Sequence, residues 1–426
     1  MKIIQASLLL FFSIVLLQCG SDGPPTDTAS FIKKIDYYGK GKWLKIDTHT
    51  HTTFTDGKHS VEEVVSEAKH FGCDVVAITD HSDGNLSAAT PEYFAEIKSA
   101  QAAHPGIFVF AGIEWNIPPF RGAEHMTVLL PNALAESHLG EFKERFDDYK
   151  REDQLDVNEA LNWLKDVAPT AVLFHNHPSR KVALIKKNVA QMKSWMDIND
   201  LVVGMSGAPG HQIGGKRGIG AYSYHHTTVD RWDPAVALIG NAWDILLAGG
   251  HDVWAARAAS DFHKFKAKNA ADYWPGQFSE TWLYAPNNSE AGILEALRAG
   301  SFFAAHGHIV REVQLDVRAD GLERPAYAGE TIAVPTGKDI FIQLTMNIPQ
   351  TDWQGAENRI DRVEIIQINE GGGASILAAG TPLDGKFEAT AKMGNGGMVL
   401  RARGIREMPD EPNLKFYTNP IRVRLP

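Results

Sequence analysis

The chain has 426 residues, more than a single ordinary core accommodates, and its length points to two domains preceded by a leader. Hydrophobic residues make up 44% and charged residues 22%, the balance of a soluble globular protein. A formal net charge of −10 without any basic run excludes a general nucleic-acid binder, so no nucleic acid polymer is expected as a partner.

Lys2 and the apolar run from Ile3 to Leu17 read as a targeting segment. A run of about 15 residues falls short of the roughly 20 that a membrane span needs. It ends at Cys19 and resembles a bacterial lipoprotein signal, in which the cysteine is lipidated. Residues 1–19 are therefore expected to be a lipoprotein-type signal peptide. The protein would be exported, to the periplasm or as an outer-membrane lipoprotein, and would touch the membrane through the lipid anchor alone. Residues 20–40, with clusters of Gly, Pro, Ser, Asp and Thr, read as a linker. Cys73 would then be the only remaining cysteine, so no internal disulfide forms, and its apolar setting Cys73-Asp74-Val75-Val76-Ala77-Ile78 predicts a buried, inert thiol.

From 41 to 308 short apolar runs alternate with amphipathic segments, the pattern of a parallel α/β fold. Strands are predicted at Trp43 to Asp47, Asp74 to Thr79, Ile107 to Ile113, Met126 to Leu130, Thr170 to Phe174, Leu201 to Met205, Ala256 to Ser260 and Thr281 to Tyr284. Ser60-x-x-Glu63 and Asp156-x-x-Glu159 predict capping boxes, Thr90-Pro91 and Asp233-Pro234 helix starts, and Gly72 and Gly249-Gly250 stops. Beyond 309 the texture changes. Strand-like runs at Val313 to Val317, Ile340 to Leu344, Val363 to Ile365, Phe387 to Ala391, Met398 to Arg401 and Ile421 to Leu425 predict a β-sandwich domain over 309–426.

Polar residues of metal-binding type cluster where the predicted strands end: His49, His81, Glu114, His177 and Asp261. In a barrel of parallel strands those ends share one face, so residues far apart in sequence can meet. In Asp47-Thr48-His49-Thr50-His51 two imidazoles stand two residues apart, on one side of an extended chain and about 7 Å from each other along it. Asp261-Phe262-His263 repeats the spacing with a carboxylate. Thr55-Asp56-Gly57, Thr79-Asp80-His81, Gly112-Ile113-Glu114, His125 and His175-Asn176-His177-Pro178 add further candidates. Imidazole mixed with carboxylate suits Zn, Mn or Fe, and a carboxylate can bridge two ions. Any one of these histidines is more simply a packed core or loop residue, but the ensemble is not explained that way.

The ordered set Asp47-x-His49-x-His51, Asp56-Gly57, Thr79-Asp80-His81, Gly112-x-Glu114, His125, His177-Pro178 and Ser260-Asp261-x-His263 resembles the motif set of the PHP (polymerase and histidinol phosphatase) superfamily. The resemblance implies a distorted (β/α)7 barrel over 41–308 and a cluster of about three divalent metal ions (Zn, Mn or Fe). It implies that His49, His51, Glu114 and Asp261 hold the first ion. Glu114 would bridge to a second, completed by His125 and His177, and Asp56, His81 and His263 would hold the third. The segment from Trp243 to His263, with Leu294 to Gly300, further resembles the branch containing carbaryl-type carbamate hydrolases.

Glu114 and Asp261, with Arg121 and Arg180 as cations for an anionic substrate, form the candidate catalytic set; Lys264 is a further cation near the motifs. His175 is expected in a supporting or structural role, and His225-His226 and His306-x-His308 as loop and linker residues. The glycine-rich stretch Ser206 to Gln212 lacks the Lys-Ser/Thr of a phosphate loop. The expected activity is metal-dependent hydrolysis of a small phosphate ester by water activated on the ions. The alternatives are a carbamate, ester or amide hydrolase on the same cluster, or a surface binding protein with a vestigial site. Because every assigned ligand precedes residue 264, the C-terminal domain is expected to be dispensable for metal binding.

Overall fold

The computed structural model describes residues 28–83, 86–119, 124–208, 210, 226–264 and 272–426. The expected signal peptide with Cys19, the first part of the expected linker, Arg121 and His225 lie outside these residues. No helix among the described residues is long and apolar enough to cross a membrane.

Strands β1 (Ser30–Lys33), β2 (Lys42–Asp47), β3 (Val75–Ile78), β4 (Phe108–Asn116), β5 (His125–Leu129), β6 (Val172–His175) and β7 (Val202–Met205) precede β8 (Ser279–Ala285) and β9 (Phe302–His306). Neighbours β2, β3 and β4 are parallel, as are β6 and β7. The all-parallel expectation fails at β8, which runs antiparallel to β2, and at β5, which runs antiparallel to both β4 and β6. The connection from Asn116 to His125 is too short for the roughly dozen-residue crossover that a parallel neighbour requires. Where a strand was expected at Ala256 to Ser260, an extended segment makes only isolated parallel bridges, Gly204 with Trp254, Ala208 with Ala258 and Thr50 with Phe262. It fills the gap between β7 and the end of β2 and closes the barrel.

Ser60 and Glu63 form the expected capping box on helix Val61–His70, which opposes the orphan N–H groups with two side-chain acceptors. Thr90 caps helix Pro91–Ala103, which carries proline in its first turn. Asp156 caps helix Val157–Val167 through Asn158 N alone, with no reciprocal bond from Glu159. These helices pack Val64, Val65, Tyr93, Ile97, Leu161 and Leu164 against barrel residues Val76, Ile78, Val109, Ile113 and Leu173 in one apolar cluster. Cys73 belongs to it and is free and buried; burial pushes its thiol far up, as an inert role requires.

The C-terminal part carries β10 (Arg311–Arg318), β11 (Ala326–Tyr327), β12 (Thr331–Ala333), β13 (Asp339–Asn347), β14 (Arg362–Asn369), β15 (Ala374–Gly380), β16 (Lys386–Lys392), β17 (Met398–Arg406), β18 (Leu414–Thr418) and β19 (Ile421–Arg424). A four-stranded sheet, β11-β10-β13-β16, forms one layer. Leu315, Ile342 and Leu344 from it pack on Val363, Ile365, Leu400 and Val423 of the other layer. That second layer is continuous with the barrel, because β8 pairs with β2 and β9, and β9 with β18. The expected linker also changes character from Thr28 onward. Here β1 pairs with β12, and Tyr38 stacks on Tyr284 at 5.3 Å, so this stretch is part of the fold.

Candidate metal centre

The strand ends bring together His49, His51, Asp56, His81, Glu114, His125, His177, Asp261 and His263, all the ligands expected from the sequence. Glu114 lies at the centre. Its Oε1 stands 3.0 Å from His49 Nε2, 3.2 Å from His125 Nδ1 and 3.2 Å from His177 Nε2. Its Oε2 stands 3.1 Å from His81 Nδ1 and 3.5 Å from His51 Nε2. Asp261 Oδ1 lies 3.4 Å from His49 Nε2 and 3.3 Å from His51 Nε2. On the outer side Asp56 Oδ2 lies 3.3 Å from His263 Nε2 and 3.7 Å from His81 Nε2, and Asp56 Oδ1 lies 3.7 Å from His51 Nδ1. Reversal of β5 explains His125: as the first residue of an antiparallel strand it stands at the same barrel end as the last residues of its neighbours.

Spacing alone accounts for one pair. His49 and His51 face each other with Nε2 atoms 3.1 Å apart, as two residues on one side of an extended chain should. Two of the others use strained backbone. Asp261 has φ 47° and His177 φ 30°, left-handed values that non-glycine residues rarely adopt and that persist where surroundings enforce them. The kink at His177 breaks its alternation with His175. The His175 ring sits edge-on to Trp195 at 5.1 Å, with neither nitrogen hydrogen-bonded, and burial pushes its pKa down to about 3. It is a neutral core residue.

The donor set fits divalent metal ions. The Nδ1 atoms of His51 and His125 are buried without a hydrogen bond, although each faces a carboxylate. Two imidazole Nε2 atoms 3.1 Å apart beside two carboxylates form a cradle that a cation satisfies. Four overlapping groups of ligand atoms, His51–Asp56–His81–His263, His49–His51–Glu114, His81–Glu114–His125 and Glu124–His125–His177, each lie within 4.8 Å. Burial opposes ionisation of Glu114, but His125, His49 and His81 outweigh it and hold the carboxyl well below its ordinary range. Burial, reinforced by His263, pushes His51 down to about 3, and burial takes His125 to about 4 against the pull of Glu114. His263 is driven the other way, to about 10, because Asp56 and Asp261 outweigh its burial.

The layer behind the ligands was not read from the sequence. Glu124 Oε2 lies 3.1 Å from His177 Nδ1, and Glu124 takes Arg180 Nε at 3.3 Å and Nη2 at 3.0 Å. Burial raises Glu124, yet His177 and Arg180 outweigh it and bring its pKa to about 2. Such a carboxylate fixes the ring orientation and tautomer of a ligating histidine. Asn176 Nδ2 donates to Glu114 Oε1 at 2.8 Å, and its Oδ1 accepts from Arg257 Nη1 at 3.1 Å. Arg257 is fully buried, its Nε donating to Thr48 Oγ1 at 2.8 Å and its Nη2 to Thr127 Oγ1 at 3.1 Å. The adjacency Glu124-His125 was the available signal for the first of these; nothing in local spacing marks Arg257.

A cavity of about 550 Å³ opens onto the centre, lined by Asp56, Lys58, His81, Glu114, His125, His177, Arg180, Asp261, His263, Lys264 and Asp272. Arg180 lines this cavity, and Glu124 engages its Nε and Nη2. His306 and His308 stand elsewhere. His306 is buried on β9 between Trp232 and Phe278, rather than in a linker, and His308 Nε2 pairs with Glu280 at 2.8 Å.

Residues 47–170 match the PHP domain family. Two curated proteins named "probable phosphatase" align over 82 residues, one from Caldicellulosiruptor saccharolyticus at 33% identity and one from Acetivibrio thermocellus at 32%. Each alignment covers 19% of this chain and 34% of the relative, so the chain spans about a third of the relatives it matches. Among solved structures, a two-domain protein from Bacteroides vulgatus, described as containing a "predicted PHP-like metal-dependent phosphoesterase", aligns with 16% identity and a TM-score of 0.40, over 85% of this chain and 91% of that one. An amidohydrolase from Chromobacterium violaceum with bound sulfate aligns with 16% identity and a TM-score of 0.33, over 53% and 89%. Likenesses this loose add nothing to the topology above. The segment that matches the PHP domain family contains His49, His51, Asp56, His81, Glu114 and His125, and the fold adds His177, Asp261 and His263 from beyond it.

Proposed function

We propose that the chain is a metal-dependent hydrolase of small phosphate esters, acting at a centre of about three divalent ions. One observation carries the reading: a single buried carboxylate, Glu114, faces His49, His51, His81, His125 and His177 within 3.5 Å through both of its oxygens. A carboxylate so shared suits a bridge between ions. His49, His51 and Asp261 would complete one site, His125 and His177 a second, and Asp56, His81 and His263 a third. When bound, such ions supply Lewis acidity, bring the pKa of a coordinated water to about 7 and clamp attacking and leaving oxygens.

The chain's own residues favour an anionic substrate. Lys58, Arg180 and Lys264 line the cavity, and Arg180 keeps Nη1 clear of its bonds to Glu124. Preorganised cations there would hold the phosphoryl oxygens as charge develops. Arg121, outside the described residues, is proposed for the same role. A carbamate develops a single oxyanion and would use this charge poorly.

The test is turnover of metal-reconstituted protein on phosphate monoesters and diesters beside carbamates and carboxylic esters, with elemental analysis of the same sample. Phosphate release with more than one metal equivalent is expected. Carbamate cleavage without phosphate release would overturn the substrate class, and one equivalent or less in folded protein would overturn the multinuclear centre.

A further inference from the structure

The segment that carries Asp261 and His263 is bonded asymmetrically. Towards β7 it has backbone partners: Trp254 N donates to Val203 O at 3.0 Å, Met205 N to Trp254 O at 3.1 Å, and Gly207 N and Ala208 N to Arg257 O at 2.9 and 3.0 Å. On its other edge side chains replace a strand. Ala255 N and Ala256 N both donate to Asn419 Oδ1 at 3.1 Å. Ala258 N donates to Thr281 Oγ1 at 2.9 Å, and that hydroxyl donates to Ala258 O at 2.8 Å. Ser260 N donates to Asp47 Oδ2 at 2.9 Å. Backbone pairing returns beyond Asp261, where His51 N donates to Phe262 O at 2.8 Å.

We infer that Asn419, contributed by the C-terminal domain directly after β18, is a positioning residue for the metal centre, through the strand that presents Asp261 and His263. Its side chain is fully buried and held at its far end, where Nδ2 donates to Gly300 O at 3.1 Å. That contact is tightly set. Gly300 has φ 79°, and a Cβ there would meet the Trp254 ring at 2.4 Å, so Gly300, Trp254 and Asn419 fix one another. An extended chain rising about 3.3 Å per residue has little slack to absorb a shift between Ala256 and Asp261. Asp261 itself is in the left-handed region at φ 47° and depends on its surroundings to stay there. Metal–ligand distances in a well-formed site fall within about 0.2 Å of their preferred values, so the position of that carboxylate matters. The inference rests on the metal-centre reading given above.

The test uses the full chain after reconstitution with Mn or Zn, comparing the parent with Asn419→Ala. Metal equivalents are measured by elemental analysis, affinity by chelator competition, fold by circular dichroism and melting, and site geometry by the visible spectrum of the cobalt form. Folded Asn419→Ala is expected to lose at least one ion at a chelator concentration roughly 10–100-fold lower than the parent, the range for losing a group that orients a ligand. It should show an altered cobalt spectrum, and Asn419→Asp, which keeps the acceptor and can donate to Gly300 O when its buried carboxyl is protonated, should recover part of the difference. Should Asn419→Ala not fold, Asn419→Ser, with an acceptor on a shorter arm, is read the same way. A lower melting temperature with unchanged chelator titration and cobalt spectrum would show a merely structural role and overturn the inference. A parent chain that binds no more than one ion overturns the metal-centre reading instead.

Discussion

Glu114 is buried among imidazoles that draw on both of its oxygens, so changing it reaches further than changing any ring around it. Glu114→Gln keeps the shape and removes the charge that two ions would share, whereas His125→Ala removes one terminal ligand. The expected result is at least about a 100-fold loss of turnover or metal affinity for Glu114→Gln, and a smaller loss for His125→Ala, which excess metal partly restores. Titration of activity against metal concentration checks this; equal, mild effects would remove Glu114 from the bridge. The candidate ligands were legible because imidazole and carboxylate pairs at strand ends have little other reason to recur. Their supports were not. Arg257 is hydrogen-bonded to Glu114 through Asn176, a relation made in space by the end of β6 and the closing segment and invisible to spacing along the chain.

At the scale of elements, the barrel's edge is held by a buried charge cluster. Lys45 Nζ on β2 meets Glu280 Oε1 on β8 at 2.5 Å, with the carbonyls of Phe71 and Gly276 at 3.0 and 2.8 Å. Burial raises Glu280, but Lys45 and His308 outweigh it and bring its pKa to about 2, below the ordinary 4.5. A depressed carboxylate pKa contributes stability that is present above about 4.5 and lost as pH falls through about 2. Glu280→Gln leaves the Lys45 ammonium buried without its counter-charge, a cost of about 3–5 kcal/mol at neutral pH. Its melting temperature should therefore fall well below the parent's at pH 7, and the gap should narrow towards pH 2. A gap that is constant with pH would mean that the carboxylate charge plays no part. Strand positions for β2 through β8 were legible from apolar runs. The antiparallel direction of β5 was not, because apolar content is blind to direction and only the short loop before His125 carries that information. The closing segment lacks a ladder on one edge, so its existence was legible and its status as a regular strand was not.

Across the whole molecule the two parts read from the sequence share their structure. The second sheet of the sandwich continues through β18, β9 and β8 into β2, and Ile366, Ile368, Val399 and Tyr417 lie in the same apolar cluster as the barrel core. Arg401 on β17 is fully buried; its Nε donates to Asp244 Oδ1 at 2.8 Å and its Nη2 to Asp244 Oδ2 at 3.0 Å, with the guanidinium over Trp243 at 4.5 Å. The change in texture near 309 marks a real change of architecture, but texture says nothing about what two architectures bury between them. The position of every ligand before residue 264 therefore suggested an independence that these contacts argue against. A chain truncated after residue 308 would expose the apolar face that β14 and β17 cover and would lose both Arg401 and Asn419. It should fail to melt cooperatively or to take up its full complement of metal. In the intact chain Arg401→Leu strands the Asp244 carboxylate in the interior at a cost of about 3–5 kcal/mol. Calorimetry of the parent should give one transition, and Arg401→Leu should move that transition downward as a unit. Two separate transitions in the parent, or a truncated chain that melts cooperatively with its metal retained, would establish the barrel as an autonomous domain.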